Sequence, residues 1–238
     1  MAPKNTPINK NLVRAVIFDL DDTLFDTYGQ LVKPASREAC EAMIRAGLKT
    51  KIDECVMARE KLFTANPRKN IYEQLVEHFG LNENVNKKDV IQAGFNAFHD
   101  RHINEEISLF SDALEIIKAL GEKFELYLVT LGTPSTQQKK IELLGLEEYL
   151  KKIYIVNINN SKTKFTTFHE ILTTSKHEPR GFVSIGNRID SEIRDAKELG
   201  MQTILMLHGE YVQLQPQTSF EEPDAKVETL SQLREILL

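Results

Sequence analysis

A short apolar, β-branched run, Val13-Arg14-Ala15-Val16-Ile17-Phe18, breaks directly into Asp19-Leu20-Asp21-Asp22. A run of this length predicts a buried strand, and three carboxylates in four positions cannot stay inside a core. The strand is therefore expected to stop at Asp19, with the acids at its carboxyl end. From about Thr27 to Glu106 the spacing turns helical. Ala35, Ala39, Ala42, Met43 and Ala46 share a face between Pro34, tolerated in a first turn, and Gly47, suited to closing a helix. Ile52, Val56, Arg59 and Phe63 make a second stripe, and Ile71, Leu75 and Phe79 a third that stops at Gly80. Ile91, Phe95, Phe98 and His102 make a fourth, after Asn86. Four amphipathic helices with short links predict a small bundle, its fourth helix packing through the phenylalanines.

Beyond the bundle, helices and strands alternate. Helices are expected at Ser111–Leu120, Pro134–Leu144, Phe165–Thr174 and Ile189–Leu199, three of them closed by Gly121, Gly145 and Gly200. Strands are expected at Phe124–Thr130, Ile153–Val156, Gly181–Ile185 and Met201–Leu207. This rhythm predicts an α/β fold: a doubly wound parallel sheet, Rossmann-like, covered on both faces. Residues 1–26 and 107–238 would form that core, interrupted after its first strand by the helical insert 27–106. The polar stretch from Pro216 to Pro223 reads as loose, ahead of a last helix near Leu230–Leu238.

Composition narrows the function classes. In 238 residues, 41% are hydrophobic and 27% charged, with a formal net charge of −5. That balance suits a globular protein and argues against a sequence-independent grip on nucleic acid. Lys139-Lys140 and Lys151-Lys152 read as solvated faces. No stretch approaches the roughly 20 apolar residues of a membrane span, and residues 1–12 hold no apolar signal-peptide core. Cys40 and Cys55 are too few for a disulfide framework and read as free buried thiols in a cytoplasmic protein, without a basic neighbour to activate them. His99 and His102 share a helical face but lack a third zinc ligand.

Ligands in open α/β sheets bind beyond the carboxyl ends of strands. Here those ends offer carboxylates (Asp19, Asp21), a hydroxyl (Thr130), lysines (Lys162, Lys164) and a polar segment from Asn187 to Glu192. Carboxylates with a lysine and a hydroxyl suggest a hard divalent cation and a phosphate. Asp19-x-Asp21-Asp22 is not an EF-hand loop, because its sixth and twelfth positions are Leu24 and Gln30 rather than Gly and Glu.

Four of these segments, in this order, resemble the haloacid dehalogenase superfamily of hydrolases. Its Asp-x-Asp-x-Thr motif stands as Asp19-Leu20-Asp21-Asp22-Thr23, its strand-ending hydroxyl as Thr130, and its lysine as Lys162, six positions before Phe168. The acidic fourth motif stands as Gly186-Asn187-Arg188-Ile189-Asp190-Ser191-Glu192. The helical insert matches the family's cap. The resemblance implies that Asp19 is the nucleophile, Asp21 a general acid and base, and Thr130 and Lys162 phosphate contacts, with Lys164 competing for the lysine's place and the spacing to Phe168 favouring Lys162. It further implies Mg2+ held by Asp19, the Asp21 carbonyl and Asn187, with Asp190 and Glu192 contributing through water.

The roles are physically coherent. An aspartyl-phosphate splits hydrolysis into two easier steps. Like unit charges 4 Å apart repel by about 4 kcal/mol at an effective dielectric near 20, so an anionic nucleophile needs the cation and the lysine. Asp21 favours a phosphatase over a dehalogenase, since a halide leaves without a proton. A small phosphorylated metabolite is the expected substrate. Asn187 departs from the family's usual Asp and removes one charge from the metal cage. It is the one feature favouring a member that binds a phosphorylated ligand or partner with little turnover; phosphoryl transfer between sugar hydroxyls is the third reading.

Overall fold

The apolar run after the polar leader forms strand β1, Ala15–Phe18, with all four side chains buried. The computed structural model describes residues 7–99, 107–160 and 162–238. It divides into two units, Met1–Asp26 with Ile103–Leu238, and Thr27–His102. In the larger unit β1 pairs on one side with β2, Glu125–Gly132, which pairs in turn with β3, Lys152–Asn157. On its other side β1 pairs with β4, Phe182–Gly186, followed by β5, Gln202–Met206, and β6, Ala225–Val227. All pairings are parallel, in the order β3-β2-β1-β4-β5-β6. Every side chain of β1, β4 and β5 is buried, as expected of a sheet covered on both faces. The chain steps outward from β1 to β3, then returns to β4 on the other side of β1. The strand order therefore reverses at the carboxyl ends of β1 and β4, the place where sheets of this kind bind ligands.

In the smaller unit a π-type turn at Tyr28–Val32 leads into α1, Lys33–Arg45; α2 is Ile52–Ala65, α3 Ile71–Phe79 and α4 Lys87–His99. Asn70 caps α3 by accepting from the amides of Tyr72 and Glu73. Two expected faces are rotated. In α2 the buried side chains are Cys55, Ala58, Arg59 and Phe63 rather than Ile52 and Val56. In α4 they are Val90 and Gly94, while Phe95 is 45% exposed. A Cβ at Gly94 would stand 2.7 Å from Met43 Cγ and 2.9 Å from a Tyr72 ring carbon. The bare glycine, not the phenylalanine, sets this helix contact. His102 lies outside the described residues.

Cys40 and Cys55 are free and buried, as expected. The expectation that no basic group acts on them is overturned. A hydrogen bond to Cys55 holds the Cys40 thiol below its usual pKa, with Arg59 and Arg37 assisting, and the same bond pushes Cys55 up.

The larger unit's helices are α5, Ala113–Gly121; α6, Pro134–Leu144; α7, Lys164–Thr174; α8, Arg194–Glu198; and α9, Leu233–Leu237. Gly145 ends α6 in the left-handed region, at φ 62°. The segment expected to be loose contains a 3₁₀ turn, Ser219–Glu221, with Glu221 buried, and leads directly into β6. With three residues and one buried side chain, β6 is too short to register as a period. Among the described residues, no helix is long and apolar enough to cross a membrane.

Candidate active site

The backbone amide of Asp19 still follows the sheet ladder, donating to the Ile185 carbonyl at 2.9 Å, so the carboxylate stands at the carboxyl edge of β1. Its Oδ1 accepts from Lys164 Nζ at 2.6 Å, and Lys164 also donates to Glu192 Oε1. All three side chains are nearly sealed from solvent, at 6%, 3% and 3% exposure. Glycine makes the cluster possible: a Cβ at Gly186, the last residue of β4, would lie 2.6 Å from Glu192 Cγ. Glu192 Oε2 accepts from the Arg188 amide at 3.1 Å, which fixes its second oxygen. Asn187 is buried at 5%, and its Nδ2 makes a long 3.4 Å contact to the His208 carbonyl, leaving Oδ1 as an acceptor.

Lys164 is the first residue of α7. Thr163 caps that helix, its hydroxyl accepting from the Thr166 amide while Thr166 Oγ1 accepts from the Thr163 amide. Asp195 Oδ2 accepts from the next free amide, Phe165 N, at 2.9 Å, so α8 helps hold the start of α7. At the end of β2, Thr130 is fully buried, and its Oγ1 accepts from Gln137 Nε2. The same Gln137 amide donates to Asp21 Oδ2 at 2.8 Å. The β1, β2, β4 and α7 ends thus bring a carboxylate, a hydroxyl, an amide oxygen and a cation to one edge.

A profile of the haloacid dehalogenase-like hydrolases matches residues 16–206. The chain belongs to that family. Glyceraldehyde 3-phosphate phosphatase of Methanopyrus kandleri is 28% identical over 95% of this chain and 97% of its own. The enzyme of the same name from Methanocaldococcus jannaschii is 26% identical, with the same coverage. Among solved structures, magnesium-bound HAD-hydrolase YfnB of Bacillus subtilis superposes with a TM-score of 0.63 at 19% identity, covering 94% of this chain and 98% of that one. This haloacid dehalogenase-like hydrolase is a phosphatase, with the α/β core and helical insert of its family.

The phosphatase corrects three readings made from sequence. Lys162, favoured by its spacing to Phe168, is 69% exposed and 3.8 Å from Glu170 on the surface. It precedes the cap of α7, whereas Lys164 shares the buried face of that helix with Phe168 and Ile171. Asp190 is turned to Arg188 in a two-pronged pair, both contacts 3.1 Å, while Glu192 reaches the cluster. Lys140, read as solvated, is 7% exposed, and its Nζ lies 2.6 Å from Asp21 Oδ1. Gln137 was missed altogether. Its signal was a polar side chain on the same helical face as Ile141 and Leu144.

Electrostatics in the cluster follow from burial. Desolvation raises the Asp19 pKa to about 7, Lys164 opposes this, and the charges of Glu192 and Asp21 add to it. Burial works against the Lys164 ammonium, but Asp19 and Glu192 more than offset it and its pKa is raised. A second polar group sits after β1 and β5: Asp22, at φ 54°, Asp26 and His208 bring ligand atoms within 4.8 Å of one another, with His208 Nε2 2.9 Å from Asp26 Oδ1.

Proposed function

We propose that this phosphatase hydrolyses a small phosphorylated metabolite by way of an aspartyl-phosphate on Asp19, with Mg2+ as its cofactor. The observation that carries the reading is the 2.6 Å contact of Lys164 with Asp19 at the strand edge. It supplies a fixed positive charge where a phosphate dianion must meet an anionic nucleophile. Residues 27–106 take the part of the family's cap.

The donor set fits a hard divalent ion. Asp19 and Glu192 are buried carboxylates at the same strand edge as the buried Asn187 amide oxygen, a set of hard oxygen donors of the kind such ions take. Asp19, the Asp21 carbonyl and Asn187 would hold Mg2+, with Glu192 contributing through water; Asp190, turned to Arg188, is left out of the set. Bound there, the ion would favour ionised Asp19 and screen it from the phosphate.

In the first step Asp19 Oδ bonds to phosphorus as the bond to the leaving-group oxygen breaks, and Asp21 gives that oxygen a proton. In the second, Asp21 takes a proton from the water that attacks phosphorus, and Asp19 is released. Thr130 donates its hydroxyl hydrogen to a phosphoryl oxygen, since its own oxygen already accepts from Gln137. Lys164 stays protonated through both steps and offsets charge at the phosphoryl group.

Glyceraldehyde 3-phosphate is the proposed substrate, because relatives covering nearly the whole chain are named for it. The cytoplasmic setting rests on the two free thiols, the expectation of no nucleic-acid partner on the acidic balance, and that of no membrane on the lack of a long apolar stretch. Asn187 supports the competing reading of a binder with little turnover. Phosphate release from glyceraldehyde 3-phosphate, other small phosphomonoesters and p-nitrophenyl phosphate, with and without Mg2+, tests the proposal. Mg2+-dependent release that vanishes in a folded Asp19→Asn protein is expected. No release from any ester, or full activity in Asp19→Asn, refutes it.

A further inference from the structure

Both oxygens of Asp21 are held by one helix. Gln137 Nε2 donates to Oδ2 at 2.8 Å and Lys140 Nζ to Oδ1 at 2.6 Å. The two donors stand three positions apart on α6, so they share a face. Burying a lysine this deeply is costly unless it is paired, and ordering its long stem adds an entropic cost. Yet the side chain of Lys140 is 9% exposed while that of Asp21, its partner, is 29% exposed. The cation is the more deeply buried partner of the pair. The arrangement is built in from neighbouring positions too. A Cβ at Gly132 would lie 2.7 Å from Gln137 Cγ, so the glycine gives the Gln137 side chain its space. The ring of Phe25 lies 5.8 Å from the ammonium of Lys140, close enough for a cation–π contact.

We propose that Lys140 and Gln137 are positioning residues for Asp21, fixing its carboxyl in the one rotamer from which it hands a proton to the leaving group. Gln137 extends this control to the phosphate side, because the same amide binds Thr130 Oγ1. One side chain thus sets the spacing between the acid and the hydroxyl that holds the phosphoryl group. A carboxyl oxygen has two lone pairs, so accepting one α6 donor does not by itself bar either oxygen from carrying the proton. The inference rests on Asp21 being the general acid.

The test compares leaving groups, using kcat/KM, which reports the steps through aspartyl-phosphate formation. Nitrophenolate departs without a proton; the alkoxide of glycerol 3-phosphate or glyceraldehyde 3-phosphate does not. Lys140→Met, which keeps the stem and removes the charge, is expected to lose about 10- to 100-fold on the alkyl esters and less than about three-fold on p-nitrophenyl phosphate, within the reach of proton transfer in catalysis. Lys140→Arg should restore most of the loss. Gln137→Met is the second variant, with the same selectivity and a smaller loss, and it carries the test if Lys140→Met fails to fold. Lys140→Met added to Asp21→Asn should cost less than about two-fold more, because the group being positioned is gone. If Asp21→Asn is selective for alkyl esters but the α6 variants slow both esters equally or neither, the positioning role is overturned while the acid survives. If Asp21→Asn itself is unselective, the acid assignment fails and the inference falls with it.

Discussion

Replacing Lys164 with Met is expected to destabilise the metal-free protein by about 3–5 kcal/mol at pH 8, the range for breaking a buried ion pair from one side. The gross attraction across the 2.6 Å contact with Asp19 is about 6 kcal/mol at an effective dielectric near 20. Desolvation of the three buried groups offsets much of it while the ammonium is present. Met preserves the stem, so the loss measures charge rather than packing. Lys162→Met is the control. At 69% exposure and 3.8 Å from Glu170, that pair is worth about 0–1 kcal/mol. Glu192→Gln in the Lys164→Met background should recover part of the loss by removing one stranded charge.

The pH dependence has a definite sign. Burial raises the Asp19 pKa from an ordinary 3.8 to about 7, so between these values the folded protein binds more protons than the unfolded chain. Stability contributed by this group is therefore full below pH 4 and falls as pH rises through 7. Lys164 holds the Asp19 pKa down, and its loss carries the decline to higher pH. The deficit of Lys164→Met against the native chain should be smaller at pH 5 than at pH 8. Urea unfolding in a chelator at both pH values measures it, followed by circular dichroism because the chain has no Trp. A Lys164→Met protein within about 0.5 kcal/mol of the native one at pH 8, no more affected than a typical surface substitution, refutes the reasoning. So does a Lys162→Met protein that loses as much.

Two further substitutions probe the edges of the site. Asn187→Asp should restore a charge to the metal cage and lower the half-saturating Mg2+ concentration about ten-fold, or 1–2 kcal/mol, since only a 3.4 Å contact to the His208 carbonyl is given up; a Mg2+ titration with unchanged or weaker binding removes position 187 from the cage. Gly209→Ala should cost about 1–3 kcal/mol, because Gly209 has φ +80° and a Cβ there would fall 2.2 Å from Asp22 Oδ2; an unchanged thermal midpoint would contradict it.

Much of this architecture was legible because it is written in runs. The β-branched segment ending at Asp19 needs no tertiary information to be read as a strand with acids at its edge. The same holds for the glycines that close α6 and the segment before β5. What escaped the sequence has a common cause: the informative residues are those that break the apolar period rather than form it. On α4 the large side chains, Ile91, Phe95 and Phe98, pointed to one face, while the contact is made at Val90 and Gly94, where a missing side chain admits Met43.

The lysines before α7 and at its start illustrate the same rule from the polar side. Counting back from Phe168 to a family spacing selected Lys162. Counting helical turns selects Lys164, four residues before Phe168 and seven before Ile171, and all three are buried. A lysine in register with an apolar stripe must either reach solvent or find a buried anion, and the short α7 start, pinned by the Thr163–Thr166 cap, gives it no route to solvent. On α6, Gln137 and Lys140 occupy the stripe of Ile141 and Leu144 and are buried against Asp21 for the same reason. Polar residues placed in register with a helix's apolar face therefore mark what that helix is positioned to hold. On α7 and α6 those residues are the ones that hold Asp19 and Asp21.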